Sequence, residues 1–326
     1  SELLSDHRVI TLFYEPSTRT RLSFEAAATY AGATVLSTEN AHDFSSAIKG
    51  ETIKDTIRVL CGYGPDVFII RHHEAGGAER AAAVSSVPVI NAGDGNGQHP
   101  TQALLDLYTI WSELDRLDDL HVVIGGDLAN GRTARSLAYL LSKFKGVRIT
   151  FVSPFELRIG DDIKAHLKKH GVDFEEVSPS EPSVIRSHER ETPPNKHYAS
   201  GLIEIPRGSH TLSDVLRGAH VVYWTRVQKE RLISMLKACG TGGSDAQLAR
   251  DADELYRRVQ GQFTITPDVM AWMRPDAILM HPLPRVNEIT PECDNDPRAA
   301  YFRQAANGLP VRLALLEWVL GVATWA

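Results

Sequence analysis

The sequence predicts an α/β protein of two domains, each a parallel β-sheet flanked by helices, with a C-terminal helix returning to the first domain. Three observations predict it. Dense apolar runs such as Val67-Phe68-Ile69-Ile70 have the length and composition of strands buried on both faces, as parallel strands are. Segments with apolar residues at helical spacing alternate with those runs along the chain. Clusters of arginine, histidine and amide residues follow the runs repeatedly, at the end where open parallel sheets bind ligands.

The first strand is expected at Val9, Ile10, Leu12 and Phe13. Pro16 and the cluster Ser17-Thr18-Arg19-Thr20-Arg21 come next, and Leu22, Ala26, Ala27 and Tyr30 then recur at helical spacing. The cluster therefore sits where a strand hands over to a helix. Unpaired N–H groups and the dipole at a helix start favour an anion, and two guanidiniums with three hydroxyls add to this. An ordinary Ser/Thr helix cap with solvated arginines remains the plain alternative. A strand at residues 33–36, a polar loop at 44–52 and a helix through Ile53, Ile57 and Leu60 follow. Arg71-His72-His73 stands directly after the strand at 67–70. A helix at 78–84 and a strand at 87–92 lead to Gly93-Asp94-Gly95-Asn96-Gly97-Gln98-His99-Pro100-Thr101-Gln102, where another helix begins.

The boundary is placed at residues 114–119, giving domains 1–116 and 117–297. The second domain opens on the strand His121-Val122-Val123-Ile124, and Asn130-Gly131-Arg132-Thr133 starts its first helix. Further strands are expected at 147–152, 174–177, 221–224 and 277–280, with a helix at 163–170. Thr225-Arg226-Val227-Gln228 and His281-Pro282-Leu283-Pro284-Arg285 follow two of them. One apolar helix is expected from about 298 to 319, with residues 298–326 covering the first domain. Residues 178–210, rich in proline, read as a mobile insertion, and 240–252, with three glycines, as a flexible loop.

Bulk properties narrow the function. A net charge of -6 and a pI near 6.1 carry no basic excess for nucleic acid. No apolar run is long enough to span a bilayer and no signal peptide opens the chain. Three cysteines without metal-ligand spacing read as reduced thiols of a cytoplasmic protein. The chain opens almost directly on a strand, so an N-terminal element is expected to precede it in a longer form. Gly125-Gly126-Asp127 with Gly131 lacks the spacing of a dinucleotide loop, so no cofactor is expected, and no metal. No serine or cysteine stands beside a base. The chemistry indicated is the positioning and charge neutralisation of anions. Taken singly, Arg71 reads as a surface arginine and His99 as a loop histidine. Arg132 could equally pair with Asp127, and Arg226 and Arg285 could be solvated.

Taken together, Ser17-Thr18-Arg19-Thr20-Arg21, Lys49-Gly50-Glu51-Thr52, Gln98-His99-Pro100-Thr101-Gln102, Gly131-Arg132-Thr133, Thr225-Arg226-Val227-Gln228-Lys229-Glu230-Arg231 and His281-Pro282-Leu283-Pro284-Arg285 resemble the aspartate carbamoyltransferase catalytic chain, in order and from the first strand to the last helix. Pro282 after His281 marks the aspartate branch of the aspartate/ornithine superfamily, where ornithine enzymes carry cysteine. The resemblance implies transfer of the carbamoyl group of carbamoyl phosphate to L-aspartate, the first committed step of pyrimidine synthesis. It implies that Ser17, Thr18, Arg19 and Thr20 hold the phosphate, and that Arg71 contacts phosphate and carbonyl oxygens. His99 and Thr20 would donate to the carbamoyl carbonyl, and Gln102 and the Pro282 backbone would orient its NH2. Arg132 and Arg226 would bind the aspartate carboxylates, helped by Gln228 and the Leu283 backbone. Ser45 and Lys49 would come from a neighbouring subunit, making a homotrimer a requirement. It leaves room for a regulatory chain or a place in a larger multienzyme. The competing expectations are a carbamoyltransferase for another amino acid, such as ornithine, and a catalytically silent scaffold of the same family.

Overall fold

Among the described residues every strand pair is parallel, in two separate sheets. The computed structural model describes residues 2–39, 50–95, 98–178, 212–238, 244–259 and 264–322. The first sheet has the order β2-β1-β3-β4, from β1 (Arg8–Phe13), β2 (Thr34–Glu39), β3 (Val67–His72) and β4 (Val89–Asp94). The second has the order β7-β6-β5-β8-β9, from β5 (His121–Gly125), β6 (Arg148–Val152), β7 (Asp173–Val177), β8 (Val221–Trp224) and β9 (Ile278–Met280).

Period-two alternation explains why the apolar runs are continuous. Val9, Phe13, Val67 and Ile69 face α1 (Thr18–Tyr30), with Phe24, Ala27 and Ala28 packed on them. Ile10, Leu12, Phe68 and Ile70 face the other way, against Ile57 of α2 (Ile53–Cys61) and Ala81 of α3 (Gly77–Ala82). α4 (Pro100–Leu114) leaves the first sheet, and Asp115 in the left-handed region ends it. In the second sheet Val122, Ile124 and Tyr223 face α5 (Arg132–Leu141) and α6 (Asp161–Lys169). Val123, Val222 and Trp224 face α7 (Leu212–Gly218) and α10 (Pro267–Met270). Gly125 and Gly126 have a packing cause: a side chain on the first would collide with the Trp224 ring, and one on the second with the Thr225 carbonyl.

The structure revises three boundaries. β3 runs two residues beyond the apolar run, so Arg71 and His72 end the strand, with Phe13 paired to Arg71. Residues 245–252 are not loop: α8 (Lys229–Ala238) is followed by α9 (Asp245–Val259), in which Leu248, Ala252 and Leu255 form a buried stripe on Leu157 and Leu232. The last helix is two, α11 (Tyr301–Ala306) and α12 (Gly308–Val319). Pro310 has no N–H to bond Ala306, so the first ends there and the second starts after Asn307. α12 lies across α1 and α4, and Leu316, fully buried against Val9 and Phe24, contributes roughly 1.5–3 kcal/mol by burial. The expected insertion at 179–210 lies outside the described residues, as do the glycines at 240–243.

Candidate active site

The carboxyl ends of β1, β3, β5, β8 and β9 open onto one cavity of about 930 Å³ between the sheets. Ser17, Thr18, Arg19, Thr20, Arg71, His99, Gln102, Arg132, Arg226, Gln228, Pro282 and Leu283 all line it. Ser45 and Lys49 lie outside the described residues.

The first wall is the start of α1. Ser17 precedes the helix, but its side chain makes no capping hydrogen bond, and the first turn holds no acidic residue. The hydroxyl and the first N–H groups are thus available to an anion rather than spent on each other. Arg19 is exposed and has no ion-pair partner among the described residues. Ser23 ties the turn down by donating to the carbonyls of Arg19 (2.6 Å) and Thr20 (3.0 Å).

Behind this turn sit buried cationic and neutral groups. Arg71 is 6% exposed, donates to the Ala92 carbonyl (3.3 Å) and pairs with Glu15 (3.2 Å). Burial and the nearby Arg132 charge pull its guanidinium down to about 10. His99 is 5% exposed, its Nδ1 has no partner among the described residues, and its backbone N–H donates to Ser136 Oγ (3.0 Å). Burial first, then Arg71, Arg132 and Arg312, hold its imidazole well below the usual histidine range, so it is neutral. Arg132 opens α5 and donates to the Gly95 carbonyl (2.6 Å). It does not pair with Asp127; it shares Glu15 with Arg71, at 3.4 Å.

Asp127 organises the second wall instead. It is fully buried, and burial raises its pKa. It accepts the backbone N–H groups of Asn130 (3.0 Å) and Gln228 (3.1 Å). The Asn130 carbonyl in turn accepts Gln228 Nε2 (3.0 Å) and Arg231 Nη1 (3.1 Å). The turns after β5 and β8 are thereby one unit carrying Arg132, Arg226, Gln228 and Arg231. At the third wall His281 Nε2 bonds Glu288 (2.8 Å), and its Nδ1 accepts the Leu283 N–H (2.8 Å). With that N–H spent, the backbone polar groups that Pro282 and Leu283 retain in the lining are carbonyl oxygens, acceptors of the kind that suit a bound NH2 or amine. Leu283 holds φ at 53°, rare for a branched residue. Arg285 is not solvated: it pairs with Asp294 and Tyr301 outside the cavity lining.

Glu15, Gln304 and Arg312 also line the cavity, although no sequence motif marks them. Glu15 is the single carboxylate among the described lining, set against Arg19, Arg71, Arg132, Arg226, Arg231 and Arg312. Six arginines and one acid, in a chain of net charge -6, make a site for more than one anion. Gln304 and Arg312, both almost fully buried, were detectable as polar residues interrupting an apolar helix.

The chain matches two family descriptions: the aspartate/ornithine carbamoyltransferase carbamoyl-P binding domain over residues 1–112, and the Asp/Orn binding domain over 167–319. It is 48% identical to a chloroplastic aspartate carbamoyltransferase of Arabidopsis thaliana, over 98% of this chain and 69% of that one. The chain belongs to the aspartate carbamoyltransferase family. Another member, the catalytic subunit of aspartate carbamoyltransferase from Methanocella arvoryzae, is 42% identical over 99% of this chain and 88% of that one. Among solved members, the catalytic subunit of M. jannaschii aspartate transcarbamoylase aligns with TM-score 0.77 and 39% identity, covering 98% and 87% of the two chains. The Trypanosoma cruzi enzyme in complex with N-(phosphonacetyl)-L-aspartic acid aligns with TM-score 0.73 and 31% identity, covering 100% and 84%.

Proposed function

We propose that this aspartate carbamoyltransferase family enzyme joins carbamoyl phosphate to L-aspartate within the cavity, giving N-carbamoyl-L-aspartate and phosphate in pyrimidine biosynthesis. The observation that carries the reading is the division of the arginines: Arg19 and Arg71 come from α1 and the end of β3 beside the first sheet, Arg132, Arg226 and Arg231 from the helix starts and the turn that follow β5 and β8 of the second. One group holds the phosphate and the other a dicarboxylate, with residues 1–116 and 117–297 as the two halves and 298–326 returning to the first.

The aspartate amine attacks the carbamoyl carbon, a C–N bond forms, and the tetrahedral intermediate expels phosphate as the C–O bond breaks. The amine proton goes to the departing phosphate dianion. Ser17, Thr18, Arg19 and Thr20 hold that phosphate, and Arg71 spans it and the carbonyl oxygen. His99 and Thr20 donate to the developing oxyanion, where a single donor is worth about 3 kcal/mol. A neutral His99 can donate there without adding a charge, and because it is neutral its loss of a proton does not limit turnover near pH 7. Gln102 and the Pro282 carbonyl orient the NH2. Arg132 and Arg226 grip the aspartate carboxylates, with Gln228 and Leu283 beside them. Ser45 and Lys49 complete each site from the neighbouring subunit of a homotrimer. Free Cys61 and Cys293 suit a reducing compartment; this supports the cytoplasm, and equally a plastid, as the plant relatives' names state for those proteins.

Incubation with carbamoyl phosphate and either aspartate or ornithine tests the reading. Carbamoyl-aspartate forms and citrulline does not. Citrulline instead would move the chain to the ornithine branch, and no product from a confirmed trimer would favour the silent scaffold. Within this mechanism Asp127→Ala unpins the loop of Arg226 and Gln228. Losing its hydrogen bonds is expected to raise the KM for aspartate by about tenfold or more. The KM for carbamoyl phosphate should move little, and steady-state kinetics with each substrate varied in turn checks the split.

A further inference from the structure

A buried carboxylate stands just behind the cavity wall. Asp106, on α4, is fully buried. Its Oδ1 accepts the side-chain amides of Gln102 (2.9 Å) and Gln304 (2.7 Å), and its Oδ2 accepts the Tyr223 hydroxyl (2.9 Å). Gln102 is one turn earlier on α4, Gln304 is on α11, and Tyr223 is on β8. The Oε1 of Gln304 accepts the backbone N–H of His281 (2.8 Å), the residue before Pro282.

A side-chain amide donates at one end and accepts at the other, so committing one end aims the other. Gln102 spends its NH2 on Asp106. Its oxygen is left for the cavity that Gln102 lines, and among the described residues no donor reaches it. Gln304 likewise spends its NH2 on Asp106, so its oxygen faces His281. One acceptor-only group thus sets the direction of two amides, that of Gln102 toward the cavity and that of Gln304 toward the residue before Pro282.

We propose that Asp106 is a positioning residue that fixes the Gln102 amide with its oxygen toward the cavity, so that the site selects carbamoyl phosphate over an acyl phosphate bearing a methyl group in place of NH2. The proposal rests on the carbamoyl phosphate reading of the cavity. Reversed, the same amide would point NH2 at NH2. A site built to bond a substrate N–H rejects the analogue that lacks it, because its own acceptor is left unpaired. Burial raises Asp106 to about 7, and the ionisable groups facing it are Tyr223 from β8 and Arg312 from α12. If Asp106 takes up a proton, its Oδ2–H donates to the Tyr223 oxygen while Oδ1 still accepts both glutamines. Selectivity is therefore expected to stay flat from about pH 6 to 8.

The experiment measures competition by acetyl phosphate against carbamoyl phosphate in the intact oligomer, with inorganic phosphate as the control. Asp106→Leu and Gln102→Ala are expected to lose about tenfold or more of the preference for carbamoyl phosphate. Inhibition by inorganic phosphate stays within about threefold. Asp106→Asn keeps the preference, since Asn Oδ1 accepts both glutamines and Nδ2 donates to Tyr223. Full preference in Asp106→Leu, with loss in Gln102→Ala, overturns the role of Asp106. Full preference in Gln102→Ala overturns the carbamoyl reading of Gln102 beneath it. If Asp106→Leu does not fold, the smaller Asp106→Ala, which likewise leaves both glutamine amides without an acceptor, takes its place. Loss of preference in that variant supports the proposal, and full preference overturns it.

Discussion

Arg19→Ala is expected to lower turnover by about a thousandfold, the upper end for losing one preorganised donor. The reasoning is electrostatic. As phosphate leaves, negative charge grows on its oxygens, and Arg19 stands at the helix start where the N–H groups and the dipole already favour an anion. Its charge is not shared with any carboxylate among the described residues, so all of it is available to the leaving group. The same exposure predicts that the fold survives: removing a surface side chain with no ion-pair partner costs within about 0.5 kcal/mol. Melting without ligand should therefore match the parent, while the rise that carbamoyl phosphate produces in the parent should shrink by mass action as binding weakens. Near-normal turnover would remove the phosphate assignment from the α1 start.

How much of this could be read in the sequence depended on the physics of each segment. Parallel strands buried on both faces leave runs such as Val67-Phe68-Ile69-Ile70, set apart from a buried helix by their shortness and their β-branched and aromatic content rather than by periodicity. Loops after those strands carry the polar clusters because that is where backbone ends are open. Hence Ser17–Arg21, Arg71, His99 and Arg132 were visible as a set in the sequence, although none was decisive alone. The helices at 229–259 were harder. Three glycines drew the expected loop past Ser244, yet Leu248, Ala252 and Leu255 already carried the helical stripe. Pro310 was equally visible, but a proline in a first turn is compatible with a helix that starts there, and only the structure shows a start at Gly308.

The residues that escaped are those whose meaning lies in long-range pairing. Glu15 is an ordinary acid in sequence; only the fold sets it between Arg71 and Arg132, more than fifty and more than a hundred residues away. Asp106 reads as a helix-surface aspartate beside Leu105, until α11 and β8 close over it. In the sequence Asp127 offers only a pairing with Arg132 and a place in a glycine run that lacks dinucleotide-loop spacing. Its actual work, holding two loops of the second sheet, is a contact across 101 positions to Gln228 that no local pattern encodes.

Mixing two dead variants is expected to restore activity, and the amount recovered measures how the site is assembled. Lys49 lies outside the described residues, so the test is functional. In the proposed trimer each site takes Arg19 from one chain and Lys49 from the next. Arg19→Ala trimers lack the first in every site, and Lys49→Ala trimers lack the second. After dissociation and random reassembly at equal amounts, a site is native when its own chain carries Lys49→Ala and the neighbour supplying Lys49 carries Arg19→Ala. Each condition holds half the time, so about a quarter of sites are native in a cyclic homotrimer. Recovery near that fraction, against parents roughly a thousandfold down, is too large for residual activities to produce. If each chain instead built its site alone, no chain in the mixture would hold both residues, and activity would stay at the level of the parents however the chains were combined. A monomer that remained active on dilution would likewise rule out shared sites, because a site completed by a neighbour loses Lys49 when the neighbour leaves.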